Sequence, residues 1–195
     1  NAIISGFTIQ NGTCTDGGSD GGGIFMRSSS LKLKDLIIRD NIASQRGGGI
    51  LIKNNSNPTL DNILIENNTA SLGGGMHIWD NSNPEITNSI IINNISEDGG
   101  GGIYIADNSN IIISNSTISN NESSHGGGIL INDSHMAIHN IELYNNSSEY
   151  EGNALLIRGG THILDYLTVY NNQCAQNNPS DCQAIGIEYS AIVSI

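Results

Sequence analysis

Asp80, Asp107 and Asp133 are the first residues whose type and spacing suggest chemistry, because they recur at nearly equal intervals. If each interval is one turn of a stacked structure, the three carboxylates lie ~4.8 Å from one another. Carboxylates that close repel unless they are solvated, protonated or bridged by a cation. Asn54 continues the column below. Oxygen ligands in such a row are candidates for Ca²⁺, so Asp80, Asp107 and Asp133 form a candidate metal site. Two carboxyl groups ~5 Å apart also suit retaining glycoside hydrolysis, which makes Asp80 and Asp107 weak catalytic candidates. The plainer alternative is a set of solvated turn aspartates. One step back along each repeat stand His77, Trp79 and Tyr104. Exposed aromatic rings beside polar groups suit sugars, so these three are candidate ligand contacts. The competing expectation is that another segment covers this face, or that it self-associates.

The elements that would position these residues are legible as a repeat. Gly47-Gly48-Gly49-Ile50 recurs at Gly73 to Met76, Gly100 to Ile103 and Gly126 to Ile129, with an earlier copy at Gly21 and a worn one at Gly152-Asn153-Ala154-Leu155. A fixed period of about 26 residues marks a solenoid. Apolar residues alternate after the glycines, which is strand periodicity. Four aliphatic columns follow, led by Ile24, Met26, Ile4 and Ile9. Two polar columns are equally regular. One holds Asp35, Asn62, Asn88, Asn115 and Asn140; the other holds Asn41, Asn68, Asn94, Asn121, Asn146 and Asn172. Asn tolerates the left-handed backbone of tight turns, and stacked Asn side chains bond one another. The pattern predicts an all-β parallel β-helix of about seven coils with three short strands per coil, spanning residues 1–195 as a single domain. Length variation before the glycines, from Gly12 to Asp20 and from Gln173 to Asp181, is expected to bulge outward. The ends read as strands rather than as a leader or caps, so the chain is expected to be a piece of a longer protein.

The outward column of the first strand reads Phe25, Leu51, His77, Tyr104, Leu130 and Leu156, and is expected to face solvent. On that assignment Leu130→Asp is expected to be mild, whereas Ile105→Asp in an inward column is expected to unfold the chain.

Composition narrows the classes. Hydrophobic residues make up 37 %, aromatics 5 %, and 24 residues are Gly, which suits a narrow aliphatic core. A net charge of -12 argues against nucleic acid. No apolar run reaches the ~20 residues of a membrane span. Cys174 and Cys182 bracket a short polar insertion and are a candidate disulfide, the alternative being two free thiols; Cys14 is left over. A disulfide would favour an oxidising compartment.

The coil pattern resembles the right-handed parallel β-helix repeat of pectate-lyase-like proteins and bacterial surface proteins. The Gly-Gly-Gly-Ile blocks, with Ile65-Glu66-Asn67-Asn68 and Ile118-Ser119-Asn120-Asn121, also resemble polymorphic outer membrane protein repeats, which carry Phe where this chain has Ile. The resemblance implies a non-catalytic passenger or stalk segment at the bacterial cell surface or outside the cell, with a polysaccharide or a surface protein as partner and no required cofactor. The rivals are a polysaccharide lyase or hydrolase and a carbohydrate-binding module. Pectinolytic β-helices combine clustered Asp with Gly-His-Gly and Arg-x-Lys, or with a basic residue at a calcium site. His125-Gly126 is the nearest echo here, and Lys53 and Arg158 are isolated.

Overall fold

The glycine block is where one coil stacks on the next. Gly73 adopts φ +64°, the left-handed region that a side chain disfavours. At Gly48 a Cβ would stand 2.5 Å from the carbonyl oxygens of both Thr69 and Gly74. The main chains of successive coils approach too closely at this corner for any side chain.

The structure is a computed structural model that describes residues 2–15, 20–174, 182–189 and 191–194. The bulges expected before the glycines lie largely outside the described residues. Every coil contributes to three parallel sheets. Sheet 1 holds the strands that follow the glycines, such as Ile50–Lys53, Met76–Ile78 and Ile103–Ile105. Sheet 2 holds the long strands, such as Lys32–Arg39, Asn110–Ser119, His135–Tyr144 and Thr161–Tyr170. Sheet 3 holds short ones, such as Thr69–Leu72 and Ile95–Gly99. Among the described residues, sheets 1 and 3 have seven strands each and sheet 2 has ten, so the chain makes about seven coils.

The strands are divided differently from the sequence expectation. The second and third apolar stretches of each coil belong to one sheet, bent at a single left-handed residue: Asp35, Asn62, Asn88, Asn115 or Asn140, with φ between 48° and 56°. The third sheet comes instead from the segment that reads as a polar lead-in to the glycines. Its inward residues are small, Ala43, Ala70, Ser96, Ser123 and Ser148, so no aliphatic pattern announces it.

The four aliphatic columns fill the interior. Ile50, Met76, Ile103, Ile129 and Leu155 are in register and fully buried. Leu36, Ile63 and Ile141 add a fifth inward column, because the left-handed residue before each resets the alternation. Ile is well suited to stacking on itself on a pleated surface.

The second polar column is a buried ladder. Asn94 Oδ1 accepts from the backbone N–H and the Nδ2 of Asn68, each at 3.0 Å. Asn94 Nδ2 donates to the carbonyls of Ile65 and Ile92 and to Asn121 Oδ1. The same arrangement links Asn41, Asn121, Asn146 and Asn172. A serine ladder, Ser56, Ser82, Ser109 and Ser134, runs beside sheet 1, each hydroxyl accepting the backbone N–H of the residue one coil earlier.

Candidate functional site

Alternation sends Phe25, Leu51, His77, Tyr104, Leu130 and Leu156 outward from sheet 1, yet most of them are not in solvent. Leu51, His77, Leu130 and Leu156 are buried, Tyr104 is half-buried, and Phe25 alone is exposed. This corrects the expectation of a solvated face. The cover is the chain's own corner, the line Asp20, Arg46, Leu72 and Gly99, whose backbones pair coil to coil just before the glycines. A Cβ on Gly99 would meet Leu130 Cδ2 at 2.5 Å, so the leucine packs flat against the corner backbone.

Basic side chains brace this cover at its lower end. Asp20 accepts from Lys53 Nζ at 2.8 Å and lies 3.5 Å from Arg46 Nη1. The Arg46 guanidinium stacks over the Trp79 ring, 4.5 Å from its centroid. Lys53 lies between the rings of Phe25 and Trp79, 5.1 and 5.5 Å away. Such cation–π contacts add to the ion pair where water is partly excluded. At the upper end Arg158 bonds Glu188 at 2.8 Å and Glu151 at 3.0 Å. Burial opposes the Arg158 charge, but the two carboxylates outweigh it and hold its pKa above the usual arginine value.

The structure brings His77, Trp79 and Tyr104 together. The His77 ring lies 4.7 Å from Tyr104 and 6.4 Å from Trp79, centroid to centroid. Neither His77 nitrogen has a hydrogen-bond partner. Burial, reinforced by the Arg46 and Lys53 charges, pushes its pKa down to about 3, so the ring is neutral at ordinary pH. At 2 % exposure His77 is buried and packs against Tyr104 and Trp79. Burial also raises the Tyr104 pKa; the Asn132 amide, donating to its hydroxyl at 3.0 Å, opposes that shift.

The aspartate column does not converge. Asp80, Asp107 and Asp133 adopt φ of 56°, 52° and 43°, as does Asn54 at 58°. These are turn positions that Asp and Asn tolerate. Asp80 accepts from Asn54 Nδ2 at 2.8 Å and from Asn81 Nδ2 at 3.1 Å. The Trp79 indole N–H donates to Asp107. Asp80 and Asp107 thus accept hydrogen bonds from side chains of the chain itself. Among the described residues, no group of three His, Cys, Asp or Glu side chains is placed to hold a metal ion.

Cys174 and Cys182 are joined, with Cα atoms 5.4 Å apart, and Cys14 is free. The serine ladder and the third sheet were missed in the sequence. Ser56, Ser82, Ser109 and Ser134 recur at the coil period, which is the signal that would have found the ladder. Among the described residues no helix is long and apolar enough to cross a membrane.

No curated protein and no solved structure matches the chain. A family model described as a right handed beta helix region matches residues 1–174. With three parallel sheets wound coil upon coil, the chain belongs to the right-handed β-helix family.

Proposed function

We propose that the chain is a structural and adhesive rod, a passenger or stalk segment of a secreted or cell-surface protein. One observation carries this reading: the outer wall of sheet 1 is closed by the chain's own side chains. The oxygens of Asp80 face amide donors, Asp107 holds the Trp79 indole, and Lys53, Arg46 and Arg158 are spent on Asp20, Glu151 and Glu188. A general acid and nucleophile pair needs carboxyls free to face a substrate. The ladders support the rod: nearly every interior polar group is paired along the axis, which favours stiffness over motion. The Cys174–Cys182 bond fits an oxidising compartment.

A second reading is favoured by Trp79, which stays half-exposed in the cluster with His77 and Tyr104. Incubation with acidic and neutral polysaccharides, with and without Ca²⁺, separates the readings. The rod reading expects neither cleavage nor retention that depends on the sheet 1 wall. Cleavage lost in Asp80→Asn or Asp107→Asn would overturn it, and retention lost in Trp79→Ala would replace it with a carbohydrate-binding module.

A further inference from the structure

Sheet 2 carries an outward column unrelated to the wall of sheet 1. Ser114 pairs in register with His139, and His139 with Asp165, on three consecutive strands. Their neighbours Ile113, Ile138 and Leu164 point inward and are buried, so the three polar side chains share the outer face. Registered neighbours on adjacent strands stand ~4.8 Å apart. Asp165 Oδ2 lies 2.7 Å from His139 Nδ1. That bond fixes the ring with Nδ1 toward Asp165. Ser114 and Asp165 flank His139 on opposite strands, so the edge of the ring away from Asp165, which carries Nε2, lies on the Ser114 side. Ser114 takes part in hydrogen bonds through its backbone, its carbonyl accepting from Ser116 Oγ at 2.7 Å and from the Asn88 N–H at 3.2 Å; its own hydroxyl is uncommitted.

Three surroundings bear on chemistry. Tyr166 packs edge-on against the His139 ring, centroids 5.3 Å apart. It does so at φ +50°, in the column that the lower coils fill with Asp35, Asn62, Asn88, Asn115 and Asn140. A bulky residue in the left-handed region is a true outlier, and such strain collects at functional positions. Asn115 follows Ser114, and its Oδ1 accepts from Asn140 Nδ2 at 2.9 Å, which leaves its own amide hydrogens free to donate. Two residues back along the same strands, ~7 Å away by strand geometry, Ile112, Ala137 and Ile163 line an apolar hollow. Its volume is about 290 Å³.

We propose that Ser114, His139 and Asp165 form a second functional centre, an esterase site for short-chain carboxylic esters whose acyl group rests on Ile112, Ala137 and Ile163. Ser114 Oγ adds to the ester carbonyl carbon as its proton passes to His139 Nε2. Asp165 keeps the ring oriented and stabilises the imidazolium. Asn115 Nδ2 donates to the carbonyl oxygen as negative charge develops there. The bond from the carbonyl carbon to the alkoxy oxygen breaks, and that oxygen takes the proton from Nε2 and leaves as the alcohol. Water then adds to the acyl group on Ser114 and gives its proton to Nε2. The Ser114 ester bond breaks, Ser114 regains that proton, and the carboxylic acid departs. One ester and one water give one alcohol and one acid.

This centre goes beyond the rod reading and is tested apart from it. The purified chain is assayed with p-nitrophenyl butyrate and labelled with a fluorophosphonate, and the modified peptide is located by mass. The expected result is hydrolysis above the buffer rate and a label on Ser114, both lost in Ser114→Ala. His139→Ala is expected to lower the rate by about 100-fold or more, and Asp165→Asn by about 10-fold or more. Because these side chains are at the surface, melting curves should stay unchanged, and Thr117→Ala should leave the rate as it is. A rate equal to buffer, a rate kept by Ser114→Ala, or a label elsewhere overturns the proposal and reduces the column to a surface hydrogen bond beside a serine.

Discussion

The outer walls of sheets 1 and 2 obey the same alternation and meet opposite fates. On sheet 1 the outward Leu51, His77, Leu130 and Leu156 are buried beneath the corner that precedes the glycines. On sheet 2 the outward Ile90, Ile112 and Ile163 stand 46, 53 and 55 % exposed. The difference teaches that alternation reports direction, and that burial depends on what the next corner does. Sheet 1 ends beside a corner folded back over it and clamped by ion pairs. Sheet 2 has no such cover among the described residues.

The sharpest way to break the comparison is a charge on each wall. Leu130→Asp places a carboxylate against the Gly99 backbone without a partner, and is expected to cost more than about 4 kcal/mol. Ile112→Asp sits on the open wall and is expected to cost less than about 1 kcal/mol. Urea unfolding of the two variants checks both; equal midpoints would mean that the corner does not cover sheet 1. This reverses the mild effect that alternation alone assigned to Leu130. Ile105→Asp, in the interior, remains severe on either view.

Acid is the next probe of the closed wall. His77 is depressed to about 3 in the folded chain, against 6.5 for an ordinary histidine. Between those values the unfolded chain binds the proton and the folded chain does not, so unfolding takes up a proton. The stabilisation is complete above about pH 6.5 and is lost as pH falls toward 3. Its full size is on the order of 5 kcal/mol. His77→Leu, matching Leu51 and Leu130 in its column, should flatten the stability profile between pH 6.5 and 4, by about 3 kcal/mol of that total. An acid limb unchanged in this variant would show that the ring is hydrated.

The clamp gives a smaller effect. Asp20→Asn leaves Lys53 and Arg46 without their anion, and about 2 kcal/mol should be lost. Loss of the Lys53 contact should also alter Trp79 fluorescence in the folded chain. Smallest of all, Asp107→Asn keeps an acceptor for the Trp79 indole at an exposed turn, and should shift stability by less than about 0.5 kcal/mol. A large change there, by calorimetry with or without Ca²⁺, would reopen the aspartate column as a site.

Much of the architecture was legible because period and residue type agree in the core. Ile50, Met76, Ile103 and Ile129 repeat at one interval and stack as expected, and the glycine block marks the corner by itself. Sheet 3 was hidden because Ala43, Ala70 and Ser96 fill its interior, and small residues give no hydrophobic period. The candidate site was half legible. His77, Trp79 and Tyr104 do assemble, but the sequence could not show that Arg46, from an earlier coil and paired with Asp20, lies over Trp79. The Ser114, His139 and Asp165 column was overlooked for a related reason. It becomes visible only once the register of three long strands is known, since its spacing is that of every other column in the repeat.

The coil-on-coil register also sets how the molecule responds to load. Each turn is bonded only to the turns beside it, through backbone pairs and through rungs such as Asn68 to Asn94 and Ser56 to Ser82. A pull on one end therefore concentrates on the outermost turn, which must detach before the next is stressed. Extension should proceed in nearly equal steps, each releasing one coil. That is roughly 90 Å of contour per step. Under tension such a rod yields as a ratcheted tether, lengthening gradually while the unpeeled turns keep their shape.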